Sequence, residues 1–279
     1  MHEQDKISPL GTVLLIIVAL LVILLIFYML AKFLESAYML RFKKPPLVHF
    51  YPFPKKLAPY GVYILDDEFR FYRELDARHK QYFQHRIHQF LKRYTFAARE
   101  GLEITDEMKL KVAATWVMLT FGLRKYLTDM FEVIILYPDV YTSAASDNYH
   151  YAEYNPMVKA VVFSWRHFEA GLDFKANNVN LGLHEFAHVV HTGSKRQGFG
   201  AAGALYVDTF DKIMAYANEP DNMKQIVSAN YFRHYAFKNP HEFIAVVLEY
   251  YFETPKEFRE KLPQLYAMVG TLINYRQAA

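Results

Sequence analysis

Leu181–His191 reads LGLHEFAHVVH. His184 and His188 are four positions apart, one turn of an α-helix at ~3.6 residues per turn, so both imidazoles fall on one face. Two imidazoles so placed offer two nitrogens to a single Zn²⁺. Glu185 follows His184 around the helix and reaches a water on that metal, whose pKa the ion lowers towards ~7. The flanking Leu181, Leu183, Phe186, Val189 and Val190 are apolar, which predicts a buried helix. A buried helix carrying two His and a Glu needs partners for them. In a composition this rich in His, an H-E-x-x-H pattern arises by chance on the order of a few times per hundred chains. The remaining chain therefore has to supply a third ligand, a transition-state partner and a fold.

Composition narrows the field. Net charge is +3, and no basic stripe interleaved with aromatics is present, which argues against nucleic acid as a partner. The chain has no cysteine, so disulfides, thiolate ligands and a Cys nucleophile are excluded; a metal site must use His and carboxylate. The 22 Tyr and 23 Phe read as core packing and membrane-adjacent surface.

Leu10–Ala31 runs without a charge. At ~1.5 Å per residue it is long enough for a ~30 Å hydrocarbon layer, and longer than the ~7–15-residue apolar run of a signal peptide. The basic residues Lys32, Arg41, Lys43 and Lys44 follow it, which predicts a retained transmembrane helix at 10–31 with the N-terminus outside and the large C-terminal part in the cytoplasm. Residues 1–9 form a short N-terminal segment. Residues 32–59, rich in Pro and Lys, read as a stiff juxtamembrane stalk. That leaves about 220 residues, 60–279, for one folded domain.

Within that domain, Asp66–Arg99 shows apolar residues at three- and four-residue spacing and is predicted as one long helical region, with His79, His85 and His88 in packing or surface roles. Thr105-Asp106-Glu107 opens a helix whose body, Met108–Leu123, is apolar all round and predicted to be a core helix. Phe131–Tyr137 and Ala160–Trp165 read as strands, with 139–157 a loop or hairpin between them. The second strand, just ahead of the motif helix, has a use if its edge is free: it can pair with an extended peptide. Gly193–Gly203 reads as a flexible connector or lid. Leu205–Ala217, Pro240–Phe252 and Lys256–Tyr275 are predicted helices, the last broken or kinked near Pro263.

The third ligand is sought on Pro240–Phe252, which offers His241, Glu242 and Glu249; the two Glu are seven apart and share a face. The combination of His184-Glu185-Phe186-Ala187-His188 with the run from Glu242 to Phe252, EFIAVVLEYYF, resembles the Mlc titration factor A family of zinc metallopeptidases. The likeness extends in order through Glu100-Gly101-Leu102, Thr105-Asp106-Glu107, Ile134–Pro138, Val161–Trp165 and Asn178-Val179, and covers roughly Tyr60 to Met268. It implies a zincin-like fold related to the anthrax lethal factor protease domain. It also implies roles: His184, His188 and Glu242 as metal ligands, Glu185 as general base, and Tyr235 as the hydroxyl that stabilises the oxyanion. Glu249 is assigned to outer support of a ligand His. One departure is His191, where the family usually has Asp. A second is the apolar N-terminal helix, absent from the soluble members, and the glucose repressor Mlc is not carried over as a partner.

The expectation is an α+β, mainly helical, zincin-like metallopeptidase domain with a small β-sheet, preceded by one N-terminal transmembrane helix. Its expected activity is that of a membrane-anchored peptidase, with one Zn²⁺ per chain, that hydrolyses peptide bonds through a zinc-bound water activated by Glu185. Its expected partners are a peptide or protein substrate and the lipid bilayer through residues 10–31, with a protein regulator unassigned. Its expected place is the bacterial inner membrane. The competing expectation is a zinc-stabilised, membrane-tethered binding domain with little turnover, which a fourth protein ligand such as His191 would favour.

Overall fold

The computed structural model describes residues 8–143, 146–172, 178–196 and 198–275. Of the expected N-terminal segment, residues 1–7 lie outside the described residues, as do Asn177 ahead of the motif helix and Gln197 in the glycine-rich connector. The chain forms two compact units, Met1–Pro46 and Leu47–Ala279.

The first unit is a helix, α1 (Pro9–Phe42). Ser8 caps it, its hydroxyl accepting from the Gly11 N–H at 3.1 Å, and Pro9 opens it where no backbone donor is required. An 18-residue window within its Pro9–Met39 stretch has a mean hydropathy of 3.5 and is not buried against protein. Among the described residues it is the one helix long and apolar enough to cross a membrane, by length and composition. The helix continues past Ala31 to Phe42, into the first part of the segment expected as a stalk.

The second unit opens with α2 (Pro59–Glu68), α3 (Arg70–Glu74), α4 (Ala77–Arg93) and strand β1 (Thr95–Ala98). The predicted single helical region 66–99 is thus divided. Phe69 and Leu75 are extended, and the Asp76 carboxylate restarts the helix by accepting from the N–H groups of Arg78 and His79. Its last residues, TFAA, leave the helix because they pair with a strand distant in sequence, which helical periodicity does not report. Next come α5 (Asp106–Leu119), β2 (Val133–Tyr137), the hairpin β3 (Tyr141–Ser143) and β4 (Ser146–His150), β5 (Ala152–Asn155), β6 (Ala160–Ser164) and α6 (Trp165–Ala170). The motif helix is α7 (Leu181–Lys195), followed by α8 (Ala201–Asn218) and α9 (Pro220–Ser228). A 3₁₀ turn (His234–Phe237) then leads to α10 (Pro240–Glu253), α11 (Pro255–Lys261) and α12 (Pro263–Leu272). The final helical stretch is broken rather than kinked, because Pro263 starts a new helix.

The sheet has the order β1-β2-β6-β5. β1 and β6 flank β2 in parallel, and β5 runs antiparallel to β6. This corrects the expected peptide-pairing edge: β6 lies between β2 and β5 and is buried along its length, so its edges are taken. The edge strand on this side is β5, whose composition, AEYN, hid it inside a region read as loop or hairpin. The result is the mainly helical α+β class with one small mixed sheet.

The core forms where α5 meets the sheet and α7. α5 is buried on nearly every face, as its continuous apolar run predicts. Trp116 packs edge-on to Phe131 and Phe186 at 5.2 Å between centroids in each case, and its indole N–H donates to the Tyr126 carbonyl. Lys111, on the same helix, is buried among Glu68, Glu107 and Glu169 at 3.0, 2.7 and 3.4 Å, joining α2, α5 and α6. Gly182 lets α7 approach closely: a Cβ there would stand 2.5 Å from the Phe168 ring and 3.1 Å from a methyl of Thr115.

The segment after Leu47 belongs to this second unit. Arg86 on α4 is fully buried and donates to the carbonyls of Val48, Thr120, Phe121 and Leu123 and to the Tyr51 hydroxyl. The N–H groups of Lys55 and Leu57 donate to His85 and Gln84 on the same helix. Residues 48–57 of the expected stalk are therefore pinned along α4. Arg86→Met strips several buried carbonyls of their donor, at about 1–3 kcal/mol each. Thermal unfolding of the full chain is expected to fall by at least about 6 °C; an unchanged midpoint would contradict this role.

Candidate metal centre and hydrolytic site

The site is assembled from three places in the second unit. α7 supplies His184, Glu185 and His188 from one and a quarter turns. Asn180 caps α7, its side-chain oxygen accepting from the Leu183 N–H at 2.9 Å. α10 supplies Glu242 from its first turn and Glu249 two turns on, with Asn239 capping through the His241 and Glu242 N–H groups. The 3₁₀ turn supplies Tyr235.

His184 Nε2 lies 3.2 Å from His188 Nε2 and 2.9 Å from Glu242 Oε2, and His188 Nε2 lies 3.6 Å from the same oxygen. These three donors form the group among the described residues that can hold a metal ion. A four-coordinate Zn²⁺ with bonds of about 2.0–2.1 Å sets its ligand atoms about 3.3 Å apart, so the observed triangle fits. Two imidazole nitrogens and a carboxylate oxygen pointing at one spot are also the right chemistry for that ion.

The electrostatics agree. Burial opposes charge on His184, yet its hydrogen bonds to Glu242 and Glu249 hold its pKa up at about 9. Burial and the neighbouring His184 push His188 down to about 4, leaving its lone pair free. Burial works to raise Glu242, but the His184 and Tyr235 hydrogen bonds and the charges of His188 and His184 together outweigh it, and the carboxyl stays below its ordinary range. The site thus favours a positive charge between the carboxylates and beside a neutral imidazole. A metal cation answers that demand.

The other expected residues are placed as follows. Glu185 Oε2 accepts from the Tyr154 N–H on β5 at 3.1 Å, which ties the carboxylate to the sheet edge. Burial pushes its pKa up to about 7. The Tyr235 ring lies 5.8 Å from the His184 ring, and burial and Glu242 push its hydroxyl up to about 12, so it is a proton donor at neutral pH. Glu249 is fully buried and takes the His184 Nδ1 hydrogen bond at 2.7 Å, opposite the nitrogen that faces His188 and Glu242. His191 is not in the cluster: its buried ring packs against Phe210 at 4.4 Å and His241 at 4.6 Å.

A cleft of about 250 Å³ opens beside these groups, lined among others by Tyr149, Tyr151, Ala152, Glu185 and Tyr235. Its wall includes Arg233, which sequence reasoning passed over. Arg233 donates to Glu249 at 2.9 Å and to the Asn178 carbonyl. No motif marks it; only its place two residues before Tyr235 hints at the site. Tyr154 was missed for another reason, since it acts through its backbone and any residue can supply an N–H.

Comparison with known proteins adds to this picture. The family model for glucose-regulated metallo-peptidase M90 matches residues 47–272. An uncharacterized protein, slr2042, of Synechocystis sp. is 24% identical over 238 residues, covering 78% of this chain and 84% of its own length. Mlc titration factor A of Serratia proteamaculans is 25% identical over 211 residues, covering 69% and 78%. Mlc titration factor A of Klebsiella pneumoniae is 26% identical over 205 residues, covering 66% and 76%. The family match spans the second unit from Leu47 through α12, including every site residue above, and the chain belongs to the glucose-regulated metallo-peptidase M90 family.

Proposed function

We propose that the chain is a zinc-dependent peptidase tethered to the bacterial inner membrane by α1, with its catalytic unit in the cytoplasm. The observation that carries the catalytic part is the triangle of His184, His188 and Glu242 with Glu185 held beside it. The family supports metallopeptidase chemistry, and the two-nitrogen, one-oxygen donor set favours zinc. The length of α1 and the basic residues after its apolar part support the tether and its orientation.

His184, His188 and Glu242 would hold the ion. When bound, zinc supplies Lewis acidity, polarising the scissile carbonyl and making water acidic enough to attack near neutral pH. Glu185 takes the proton from the attacking water and returns it to the departing amine. Its tie to the Tyr154 N–H keeps one carboxylate oxygen occupied and orients the other. The Tyr235 hydroxyl, protonated at neutral pH, donates a hydrogen bond to the carbonyl oxygen as that oxygen gains charge. The outer edge of β5, beside the cleft, offers backbone groups to an extended peptide. The competing function, a closed structural zinc site, calls for a fourth protein ligand; the packing of His191 away from the cluster weighs against it.

Full-length protein purified in detergent is expected to cleave unstructured peptides, and a strong chelator is expected to stop it until zinc is restored. Glu185→Gln is expected to keep its zinc and lose about 10²–10⁴-fold in kcat. Chelator-resistant cleavage, or a fully active Glu185→Gln, would refute the mechanism. Tyr235→Phe is expected to lose about 10²-fold in kcat with little change in KM, read by steady-state kinetics. A selective rise in KM would instead make Tyr235 a substrate contact.

A further inference from the structure

Arg233 has no part in the hydrolytic scheme, yet its side chain is among the most heavily engaged near the site. Nη1 donates to the Asn178 carbonyl and to Glu249 Oε2. Nη2 donates to Glu249 Oε1 and lies 3.4 Å from His184 Nδ1. Both terminal nitrogens are therefore committed to the protein, which removes Arg233 as an anchor for a substrate carboxylate.

Glu249 is 0% exposed. Four hydrogen bonds converge on its carboxylate: two from Arg233, one from the Asn180 N–H at 2.7 Å and one from His184 Nδ1 at 2.7 Å. The planar guanidinium grips both oxygens at once, so the carboxylate has one orientation. That orientation decides which way the His184 ring turns and which nitrogen faces His188 and Glu242. Arg233 is bound into the next element as well. Its N–H donates to the Tyr250 hydroxyl at 3.2 Å, and its carbonyl accepts from the Ala236 N–H at 3.0 Å, closing the turn that carries Tyr235. One residue thus ties together the loop ahead of α7, the buried face of α10 and the Tyr235 turn.

We infer that Arg233 is a positioning residue for two parts of the site: through Glu249 it sets His184 for metal binding, and through the turn it sets Tyr235. The inference rests on the zinc-peptidase reading and deepens it. An Arg placed only to balance a buried charge would be replaceable by Lys; one that sets geometry would not.

The test uses full-length protein in detergent, with zinc affinity measured by competition against a chromophoric chelator and site geometry by the visible absorption of the cobalt-substituted protein. Arg233→Met is expected to weaken zinc binding about 10–100-fold and to change the cobalt spectrum. Arg233→Lys keeps the charge but loses the two-pronged grip, and is expected to recover only part of the affinity. Glu249→Gln is expected to weaken binding similarly, and Arg233→Met added to it to weaken binding little further, because both act on His184 by one route. At saturating zinc, Arg233→Met is expected to retain a kcat about tenfold low with KM little changed, through the displaced Tyr235. Circular dichroism identifies variants that fold; should Arg233→Met not fold, Arg233→Lys with and without Glu249→Gln makes the same comparison. Wild-type affinity and spectrum in a folded Arg233 variant, losses that multiply in the double variant, or full affinity in Arg233→Lys would overturn the inference. Full recovery of kcat at saturating zinc would remove its Tyr235 half. Absence of zinc from the wild type overturns the proposed function and the inference with it, so the two failures are told apart.

Discussion

Glu249 is a carboxylate without access to water, and an uncompensated charge in such a place is unaffordable for a protein of ordinary stability. The surrounding chain answers it from three directions. Asn180, which also caps the motif helix, turns its backbone N–H inward; Arg233 supplies the opposite charge; His184 supplies a ring N–H. Meeting that one demand fixes the start of α7, the depth of α10 and the turn between α9 and α10. The triangle of His184, His188 and Glu242 is the less deeply buried end of the same arrangement. A ligand imidazole backed by a carboxylate keeps its geometry, and with it a pre-set place for a cation.

The sheet serves the site from the other side. β6 is buried between β2 and β5, so it acts as scaffold, while β5 takes the edge and hands the Tyr154 N–H to Glu185. Glu185, the proposed general base, is thereby held between a helix that orients its Cα and a strand that orients its carboxylate. The packing of Trp116, Phe131, Phe163 and Phe186 keeps α7 at a set distance from β6, with which β5 pairs. A one-residue slip of β5 against β6 would redirect the N–H that Glu185 uses, because neighbouring N–H groups on a strand point opposite ways.

Much of this was legible in the residues. The i, i+4 pair at 184 and 188 follows from helical geometry alone, and α5 announced itself by a cap followed by an unbroken apolar run. Spacing favours Glu242 over Glu249 only modestly, and the choice of Tyr235 among 22 tyrosines comes from family resemblance alone, since contact between distant elements leaves no local trace. β1 and β5 were missed because each is four residues long, and β5 is polar; such strands exist by pairing rather than by pattern. The break of 66–99 at Leu75 was written in Asp76, an N-cap masked by a periodicity that ran on through it. Arg233 carried no signal, because its role is defined entirely by what lies around it.

The central claim is that His184, His188 and Glu242 hold one zinc ion and leave a position open. X-ray absorption at the zinc edge of the purified full-length protein tests it most directly. The account predicts a four-coordinate site of nitrogen and oxygen at about 2.0–2.1 Å, with scattering from two imidazoles only. A third imidazole in the first shell, or a six-coordinate oxygen environment, would contradict it.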